Sequence, residues 1–238
     1  MTIAQGRAVA THRDASDGSS HDAPSRGFLS ALPDSAQERL LAEAIRINVP
    51  AGALLYSEGD RPHVLVVVDG LVRVFLTSAE GRQVTVRYAR GGDVTGLALV
   101  FGGPGPMRIQ SMTPALVLGL RIETIRALIA SDASVARACA EELTRQLYRA
   151  LDDLSEQAFC SVRQRVVSQL LDLASLENHG TLVVHASHEE LADAVASVRV
   201  VVTRILHHLR DEGLVRIRRD GIVLTDPLRL AAEAAEPA

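Results

Sequence analysis

The chain of 238 residues lacks several features that mark particular classes of protein. Its uninterrupted apolar runs all fall short of the roughly 18 residues of a membrane-spanning helix, which excludes an integral membrane protein of that kind. Two cysteines, Cys139 and Cys160, are too few for a disulfide framework or a four-thiolate cluster. The first residues, MTIAQGRAVATHRDAS, lack the apolar core of a secretion signal, so we expect a cytoplasmic protein.

Lysine is also absent, and every basic residue is arginine. We favour a codon bias as the explanation. The functional alternative is that a guanidinium makes bidentate contacts with phosphate and guanine. The formal net charge of -4 argues against a generally basic nucleic-acid-binding protein, but it leaves room for a local basic surface.

The character of the sequence changes along the chain. Residues 1–27 are rich in Ser, Asp, Ala, Gly and Arg, which predicts a flexible tail. Within residues 28–131, short β-branched runs alternate with turn signals, as in an antiparallel β-roll or sandwich. The pair Asp69-Gly70 between two such runs predicts a hairpin.

A long amphipathic helix is predicted over residues 132–158. Its apolar stripe is narrow, which is typical of a two-chain coiled coil, although an ordinary helix packed on the β-domain is the alternative. One stripe can also serve both purposes. The predicted dimer seam consists of Val135, Leu143, Leu147, Leu151 and Leu154. A further helix is predicted from Val162 to about Leu176.

Residues 187–211, SHEELADAVASVRVVVTRILHHLRD, carry the most informative pattern. Ser187 and Glu190 form an S-x-x-E capping box, which starts a short helix. A turn of small residues separates it from a second helix with one apolar face. Two short helices joined by a tight turn predict a helix-turn-helix. Gly213 then ends the second helix, and two short strands around residues 218–221 predict a wing.

Charge supports this interpretation, because six arginines oppose three acidic residues between Val198 and Asp220. The surplus of positive charge falls on the helix and hairpin that would face DNA. A solvated helix face beside an ordinary hairpin is the alternative. The predicted DNA-binding residues are Ser187, His188, Arg199, Val200, Val201, Thr203, Arg204, His207, Arg218 and Arg219.

From Phe28 to about Leu230, the chain resembles the CRP/FNR family of bacterial transcription regulators. The resemblance is carried by VPAGALLYSEGDRPHVLVVVDGLVRV, SVRQRVVSQLLDLA and EELADAVASVRVVVTRILHHLRDEGLV. It implies an α+β fold with an N-terminal antiparallel, jelly-roll-like β-roll of the cyclic-nucleotide-binding type. A long dimerisation helix and a C-terminal winged helix-turn-helix follow. The implied domains are a sensor at 28–131, the helix at 132–158 and a DNA-binding domain at 159–238. A homodimer on a two-fold DNA site and RNA polymerase are the implied partners.

The chain departs from the family where an effector would bind. Members that bind a cyclic nucleotide hold its ribose with a Glu after a Gly, its phosphate with an Arg-Ser pair and its base with Thr-Ser hydroxyls. The corresponding residues here are Gly96, Leu97, Ala98, Gly105, Pro106, Ala150 and Leu151. We therefore expect no functional binding of cyclic AMP or cyclic GMP in the usual pose, and no cofactor. Another small molecule, or no effector at all, remains open. Arg108 is a possible phosphate contact, but strand alternation favours an outward position.

Other sensing chemistry has little support in the sequence. The N-terminal tail has no cysteine for an iron–sulfur cluster, and His63 is a lone candidate for a haem ligand. For Cys139 and Cys160, we favour a buried structural role over a redox switch. No metal site is predicted. A cupin-type metal enzyme needs clustered ligands, and His63 is the only histidine between Val49 and Leu120, so we expect no enzyme.

The recognition helix departs from the family as well. The family pattern is typically R-E-x-x-x-R, and residues 199–204 here are RVVVTR. Both arginines match, and they can contact guanine or phosphate. Val200 replaces the Glu, so it can contact a thymine methyl but cannot accept a hydrogen bond from cytosine. We therefore predict a half-site other than the usual TGTGA-like or TTGAT-like sequences. The remaining alternative is a ligand-sensing module that acts through protein contacts and has degenerate DNA binding.

Overall fold

The computed structural model describes residues 27–57, 63–103, 105–177 and 180–235. They form two compact units. The first contains the described residues up to Glu80 together with Val86–Tyr148, and the second contains Gly81–Thr85 and the described residues from Arg149 onward. The predicted tail lies outside the described residues, apart from Gly27. Within the described part of the chain, no helix combines the length and apolar character needed to cross a membrane.

The N-terminal region is built on two four-stranded antiparallel sheets, which confirms the predicted β-roll class. Its strands are β1 (Ile45–Val49), β2 (Leu54–Tyr56), β3 (Val64–Asp69), β4 (Val72–Thr77), β5 (Gln83–Ala89), β6 (Val94–Thr95), β7 (Arg108–Ser111) and β8 (Ala115–Leu120). The strand orders are β1-β8-β3-β6 and β2-β7-β4-β5. The accompanying α-helices are α1 (Asp34–Ala42), α2 (Leu99–Gly102) and α3 (Ile122–Ser131).

Strand β3 is an inner strand of its sheet and belongs to the hydrophobic core. Its residues Val64, Leu65, Val66 and Val67 are all buried, so both faces of the strand are covered. A strand covered on both faces needs a continuous apolar run instead of an alternating one, as this sequence has. In the antiparallel pairing of β3 with β8, Val66 lies opposite Leu118, which is also buried.

The prediction of a hairpin at Asp69-Gly70 is wrong. Strands β3 and β4 flank this turn, but they belong to different sheets, so the turn carries the chain from one sheet to the other. Gly70 has a φ of +92°, and a Cβ there would lie 2.6 Å from the carbonyl oxygen of Pro114. The glycine is therefore required by a close backbone approach as well as by the turn.

The predicted long helix is confirmed as α4, Ala133–Phe159, with 27 residues. Near its start, Val135, Ala138 and Cys139 are buried in the hydrophobic core of the first unit. Gln146 lies farther along, and its side-chain amide donates to the backbone oxygen of Val94 at 3.2 Å. The N-terminal half of α4 thus packs on the β-strands of its own chain.

The C-terminal region forms a four-stranded antiparallel sheet with helices around it. Its elements are α5 (Val162–Leu173), β9 (Ser175–Glu177), β10 (Thr181–Val184), α6 (His188–Ala194), α7 (Arg199–Asp211), β11 (Val215–Ile217), β12 (Ile222–Leu224) and α8 (Pro227–Ala235). The strand order is β11-β12-β10-β9.

Helix α5 ends earlier than the sequence predicts. Ala174 has an extended backbone, and Leu176 pairs with Leu182 as part of β9. The side chain of Leu176 is 72% exposed, so it does not continue the buried stripe that ends at Leu173. A helical spacing of leucines alone could not distinguish these two environments, because a short apolar stretch fits either element.

Candidate nucleic-acid interface

The first helix of the predicted motif, α6, begins with the expected capping box. The Ser187 hydroxyl accepts a hydrogen bond from the Glu190 amide, and the Glu190 carboxylate accepts one from the Ser187 amide at 2.7 Å. These two bonds satisfy amides that have no partner within the helix. Ser187, a predicted DNA-binding residue, therefore also fixes the start of α6.

The turn between α6 and α7 has an unusual backbone. Ala196 has a φ of +49° and is the only non-glycine residue with positive φ in the described ranges. The Ser197 amide donates to the Ala192 oxygen at 2.9 Å, which closes the end of α6. An L-residue with a Cβ is disfavoured in this conformation, so the tight turn carries a local cost.

Helix α7 has the amphipathic character that the sequence predicts. Val202, Leu206 and Leu209 are fully buried against the rest of the C-terminal unit. At its end, Gly213 has a φ of +75°, and the Leu214 amide donates to the Leu209 oxygen at 2.9 Å. This glycine closure sets the point at which the chain leaves α7 for the wing.

The outer face of α7 brings together most of the predicted DNA-binding residues. Arg199, Val200, Arg204 and His207 are exposed, while Val201 and Thr203 are half-buried. Residues three and four apart are neighbours on a helix, so these exposed side chains form one continuous surface. The side chain of Val200 is 68% exposed, which places an apolar group among the arginines.

The wing consists of β11, β12 and the turn that joins them. Arg218 and Arg219 are exposed in this turn, and the Arg218 amide donates to the Gly221 oxygen at 2.8 Å. His185, the residue after β10, supports the turn, since its Nδ1 lies 2.9 Å from the Asp220 backbone oxygen. Hydrogen bonds to the backbone of Arg218 and Asp220 thus fix the turn that carries the two arginines.

Two of the acidic residues of this region, Asp211 and Glu212, already have partners. Arg210 pairs with Asp211 at 2.7 Å, and Arg163 pairs with Glu212 at 2.6 Å. Within the described ranges, no ion pair engages the other five arginines of this region, and all five are exposed: Arg199, Arg204, Arg216, Arg218 and Arg219. Their charge is available to phosphates or base edges.

Two arginines that support the motif were not singled out from the sequence as site residues. Arg163 bonds Glu233 of α8 and Glu212 at the end of α7, and these bonds hold the pKa of Arg163 above its usual range. The hydrogen bonds from Arg163 also lower the pKa of Glu212. Arg165 donates to the Val195 oxygen at 2.8 Å, next to the turn. Their partners lie far away in sequence, so no local pattern identifies them.

His188 also connects the two helices of the motif. Its Nδ1 lies 2.9 Å from the Thr203 hydroxyl of α7, and the bond is partly buried. Burial lowers the pKa of His188, and the positive charges of Arg199 and His207 lower it further. The ring is therefore neutral at neutral pH, with one nitrogen as donor and the other as acceptor.

The predicted effector residues lie in two different environments. Leu97 is fully buried in the hydrophobic core, and Gly96 is buried beside it, whereas Ala98 and Pro106 are exposed. A Cβ at Gly105 would contact the side chains of Met107 and Leu99 at 3.5 and 3.6 Å. On α4, Ala150 is half-buried and Leu151 is 50% exposed.

The residues of the predicted dimer seam fall into two groups. Val135 is buried within its own chain, and Leu143 is half-buried. Farther along α4, Leu147, Leu151 and Leu154 are 57%, 50% and 60% exposed. The C-terminal half of α4 thus presents an apolar stripe to solvent in the single chain.

The other residues considered for sensing, two cysteines, a histidine and an arginine, are all buried or half-buried. Burial raises the pKa of Cys139 to about 11, so its thiol stays protonated at neutral pH and is a poor nucleophile. Cys160 is half-buried. His63 is half-buried just before β3. Arg108 is also half-buried, with its Nη2 3.3 Å from the Ser57 hydroxyl.

Two sequence profiles match the chain. The profile of the cyclic nucleotide-binding domain covers residues 46–132, and that of the Crp-like helix-turn-helix domain covers residues 164–233. The first match includes the two N-terminal sheets, and the second includes α6, α7 and the wing. Each profile thus falls on the region whose structure suggests the same type of domain.

The similar proteins include transcription regulators. The transcriptional regulator LdrP of Thermus thermophilus is 32% identical over 185 residues, which cover 76% of this chain and 92% of that protein. A CRP-like cAMP-activated global transcriptional regulator of Mycobacterium tuberculosis is 24% identical over 87% of this chain and 96% of its own length. A solved structure of a CRP/FNR-family transcriptional regulator, also from Thermus thermophilus, is 27% identical, with a TM-score of 0.71, over 82% of this chain and 100% of that chain.

Proposed function

Because the chain belongs to the CRP/FNR family of transcription regulators, we propose that it acts as a homodimer that binds a two-fold symmetric DNA site in the cytoplasm. The observation that carries this proposal is the exposed outer face of α7, where Arg199 and Arg204 have no ion-pair partner among the described residues and lie in the same unit as a basic wing. A recognition helix of this kind enters the major groove and contacts base edges from its N-terminal residues.

The exposed stripe of α4 supports the dimer. Leu147, Leu151 and Leu154 are spaced four and three residues apart, which is the a/d spacing of a coiled coil. Each leucine gains about 1.5–3 kcal/mol when it moves from water into an apolar interface. Pairing with the same stripe of a second copy covers all three leucines, and a dimer of this family type binds two half-sites about 34 Å apart, one helical turn of DNA.

We further propose that the β-roll does not bind cyclic AMP in the family's usual pose. Leu97, Gly105 and Pro106 offer no carboxylate, guanidinium or hydroxyl to a nucleotide, and Leu97 belongs to the hydrophobic core. A hydrogen bond to a charged group contributes about 1.5–3 kcal/mol, so losing the polar set removes roughly 5 kcal/mol or more. That loss corresponds to about four decades of affinity. Titration calorimetry that finds micromolar binding of cyclic AMP would overturn this statement.

The half-site follows from the residues on α7. Arg199 and Arg204 suit guanine O6 and N7, while the exposed Val200 suits a thymine methyl. We therefore propose a half-site unlike the TGTGA-like and TTGAT-like sequences. We also propose RNA polymerase as the protein partner of the bound dimer, as the family resemblance implies. Selection of binding sequences from a random pool tests the half-site directly, since recovery of either ordinary sequence contradicts it.

The second candidate function is a sensing module whose helix-turn-helix no longer binds specific DNA. The observation that favours it is Val200, because an apolar side chain replaces the family's specificity carboxylate. A gel shift on genomic fragments over a range of salt concentrations separates the two functions. Arginine–phosphate contacts impose a steep loss of affinity with salt, and a module that acts through protein contacts alone shows no shift.

A further inference from the structure

The bond between His188 and Thr203 lies at the edge of the surface that would contact DNA. Thr203 is four residues after Arg199 and three after Val200, so its side chain neighbours both on α7. His188 is the first residue of α6, and its Nδ1 reaches the Thr203 hydroxyl at 2.9 Å. One side chain of the recognition surface is therefore held by the other helix of the motif.

A threonine hydroxyl can donate one hydrogen bond and accept two. A free hydroxyl rotates, so it meets a donor or an acceptor on a base edge equally well and discriminates poorly. A hydroxyl that donates to His188 retains only its acceptor capacity, and one that accepts from His188 keeps its proton pointed elsewhere. In either case the bond restricts which base edge Thr203 can satisfy.

The surroundings of His188 favour the neutral form of its ring. The ring is half-buried, and Arg199 and His207 face it from α7. Burial and these charges lower its pKa, so the imidazole is neutral at neutral pH. On α6 itself, Glu189 is exposed, and the Glu190 carboxylate is engaged by the Ser187 amide. A neutral ring has one donor and one acceptor nitrogen, so Nδ1 has one fixed polarity in each tautomer.

We propose that His188 is a positioning residue for DNA recognition, and that it fixes the Thr203 hydroxyl so that this hydroxyl discriminates between base pairs at one position of the half-site. This inference rests on the proposed DNA-binding function. It assigns to α6 a part in sequence reading that local sequence patterns do not reveal, because the two residues lie fifteen positions apart.

Two matched pairs of substitutions test it. His188→Asn keeps a polar atom bonded to Cγ, where Nδ1 lies, and His188→Leu places a methyl group there. Thr203→Ser keeps the hydroxyl, and Thr203→Val replaces it with a methyl group of similar size. Anisotropy titrations use a duplex selected on the wild-type protein and a panel in which each base pair of the half-site is changed in turn.

We expect His188→Leu and Thr203→Val to lower discrimination at the same single base pair by about three- to tenfold, the value of one neutral hydrogen bond. The double variant should lose no more than either single variant, because both remove the same bond. His188→Asn and Thr203→Ser should retain most of the discrimination. If the bond only stabilised the fold, His188→Leu and Thr203→Val would not lower discrimination at one particular base pair, and His188→Asn and Thr203→Ser would not restore it there.

Three other results are distinguishable. If His188→Leu weakens binding to every duplex equally, His188 contacts phosphate or stabilises the fold, and the inference is wrong. If the two single effects fall on different base pairs or add in the double variant, the coupling is absent and the inference is also wrong. If the wild-type protein yields no selected duplex, the proposed function itself fails, and this inference fails with it.

Discussion

The β-roll segment that is predicted to lack effector-binding groups and the predicted recognition surface of the winged helix-turn-helix differ in what their side chains do in the fold. In the first, Leu97 lies fully inside the core. In the second, Arg199 and Arg204 are exposed, and neither has an ion-pair partner in the part of the chain that the structure describes. The buried leucine contributes to the core, whereas the exposed arginines carry charge that the core does not use. The contrast teaches that exposed, unpaired charge is a better basis for proposing a binding surface than the overall fold.

The largest expected effect concerns the link between these regions, the C-terminal half of α4. Replacing both Leu151 and Leu154 with Glu should weaken dimerisation by about 5 kcal/mol or more, since two leucines are lost from each chain and like charges meet across the seam. Sedimentation equilibrium measures the change. Leu176→Glu is the matched control, because Leu176 is also an exposed leucine but lies on β9. An unchanged dimer in the double variant would show that this stripe is not the interface.

The substitution Leu97→Glu tests whether position 97 in the β-roll serves the hydrophobic core or an effector pocket. Leu97→Glu should lower the free energy of unfolding by about 3–5 kcal/mol, because it removes a buried leucine and buries a charge without a partner. It should not create cyclic AMP binding. Urea unfolding and titration calorimetry measure the two effects. Leu97→Met should cost less than about 1.5 kcal/mol. A stable Leu97→Glu variant that binds the nucleotide would mean that the pocket is retained.

The recognition surface is tested by Arg204→Ala. Specific binding should weaken by about 1–3 kcal/mol for each half-site, with preference relaxed at the base pair that this arginine contacts. Thermal stability should change little, because the side chain is exposed. Arg39→Ala, an exposed arginine on α1, serves as the control. Equal affinities of the two variants for the selected duplex would count against α7 as the recognition helix.

A smaller effect is expected at the turn between α6 and α7. Ala196→Gly should raise the free energy of unfolding of the C-terminal unit by about 0.5–1 kcal/mol, because glycine adopts a φ of +49° without a Cβ clash. Ala196→Val should lower it, since a β-branched residue is strained in this conformation. Denaturant unfolding of the two variants measures both. A loss of stability in the glycine variant would contradict the observed backbone.

The smallest effect is the pH dependence that His188 contributes. The folded state lowers its pKa, so the unfolded chain takes up this proton first as the pH falls. The free energy of unfolding should therefore decrease between about pH 7.5 and about pH 5.5, across the ordinary histidine range. In His188→Asn this part of the decrease should be missing. If the wild-type protein and His188→Asn have the same pH profile of stability, the pKa of His188 is the same in the folded and unfolded chain, and the prediction is wrong.

The sequence predicts the parts of this fold that depend on local signals. The capping box at Ser187, the stop at Gly213 and the wing turn each need only a few neighbouring residues, and all are present. The spacing of leucines in α4 likewise predicts a helix of the observed length, displaced by one residue. These features are set by backbone hydrogen bonding and side-chain periodicity within one element.

For features that depend on residues distant in the sequence, the prediction was wrong or there was none. The turn at Asp69-Gly70 is a true turn, but the tertiary packing of two sheets decides that its flanking strands do not pair. The bonds from Arg163 to Glu212 and Glu233 span 49 and 70 positions of sequence. A single sequence gives no signal for such contacts, because either partner alone is indistinguishable from a solvated surface charge.

The most direct test of the central claim is sedimentation velocity of the wild-type protein with a labelled duplex chosen by selection from a random pool. The account predicts a dimer without DNA and a complex of two chains per duplex, which dissociates steeply as salt increases. A protein that sediments as a monomer and does not shift the duplex even at low ionic strength would contradict it.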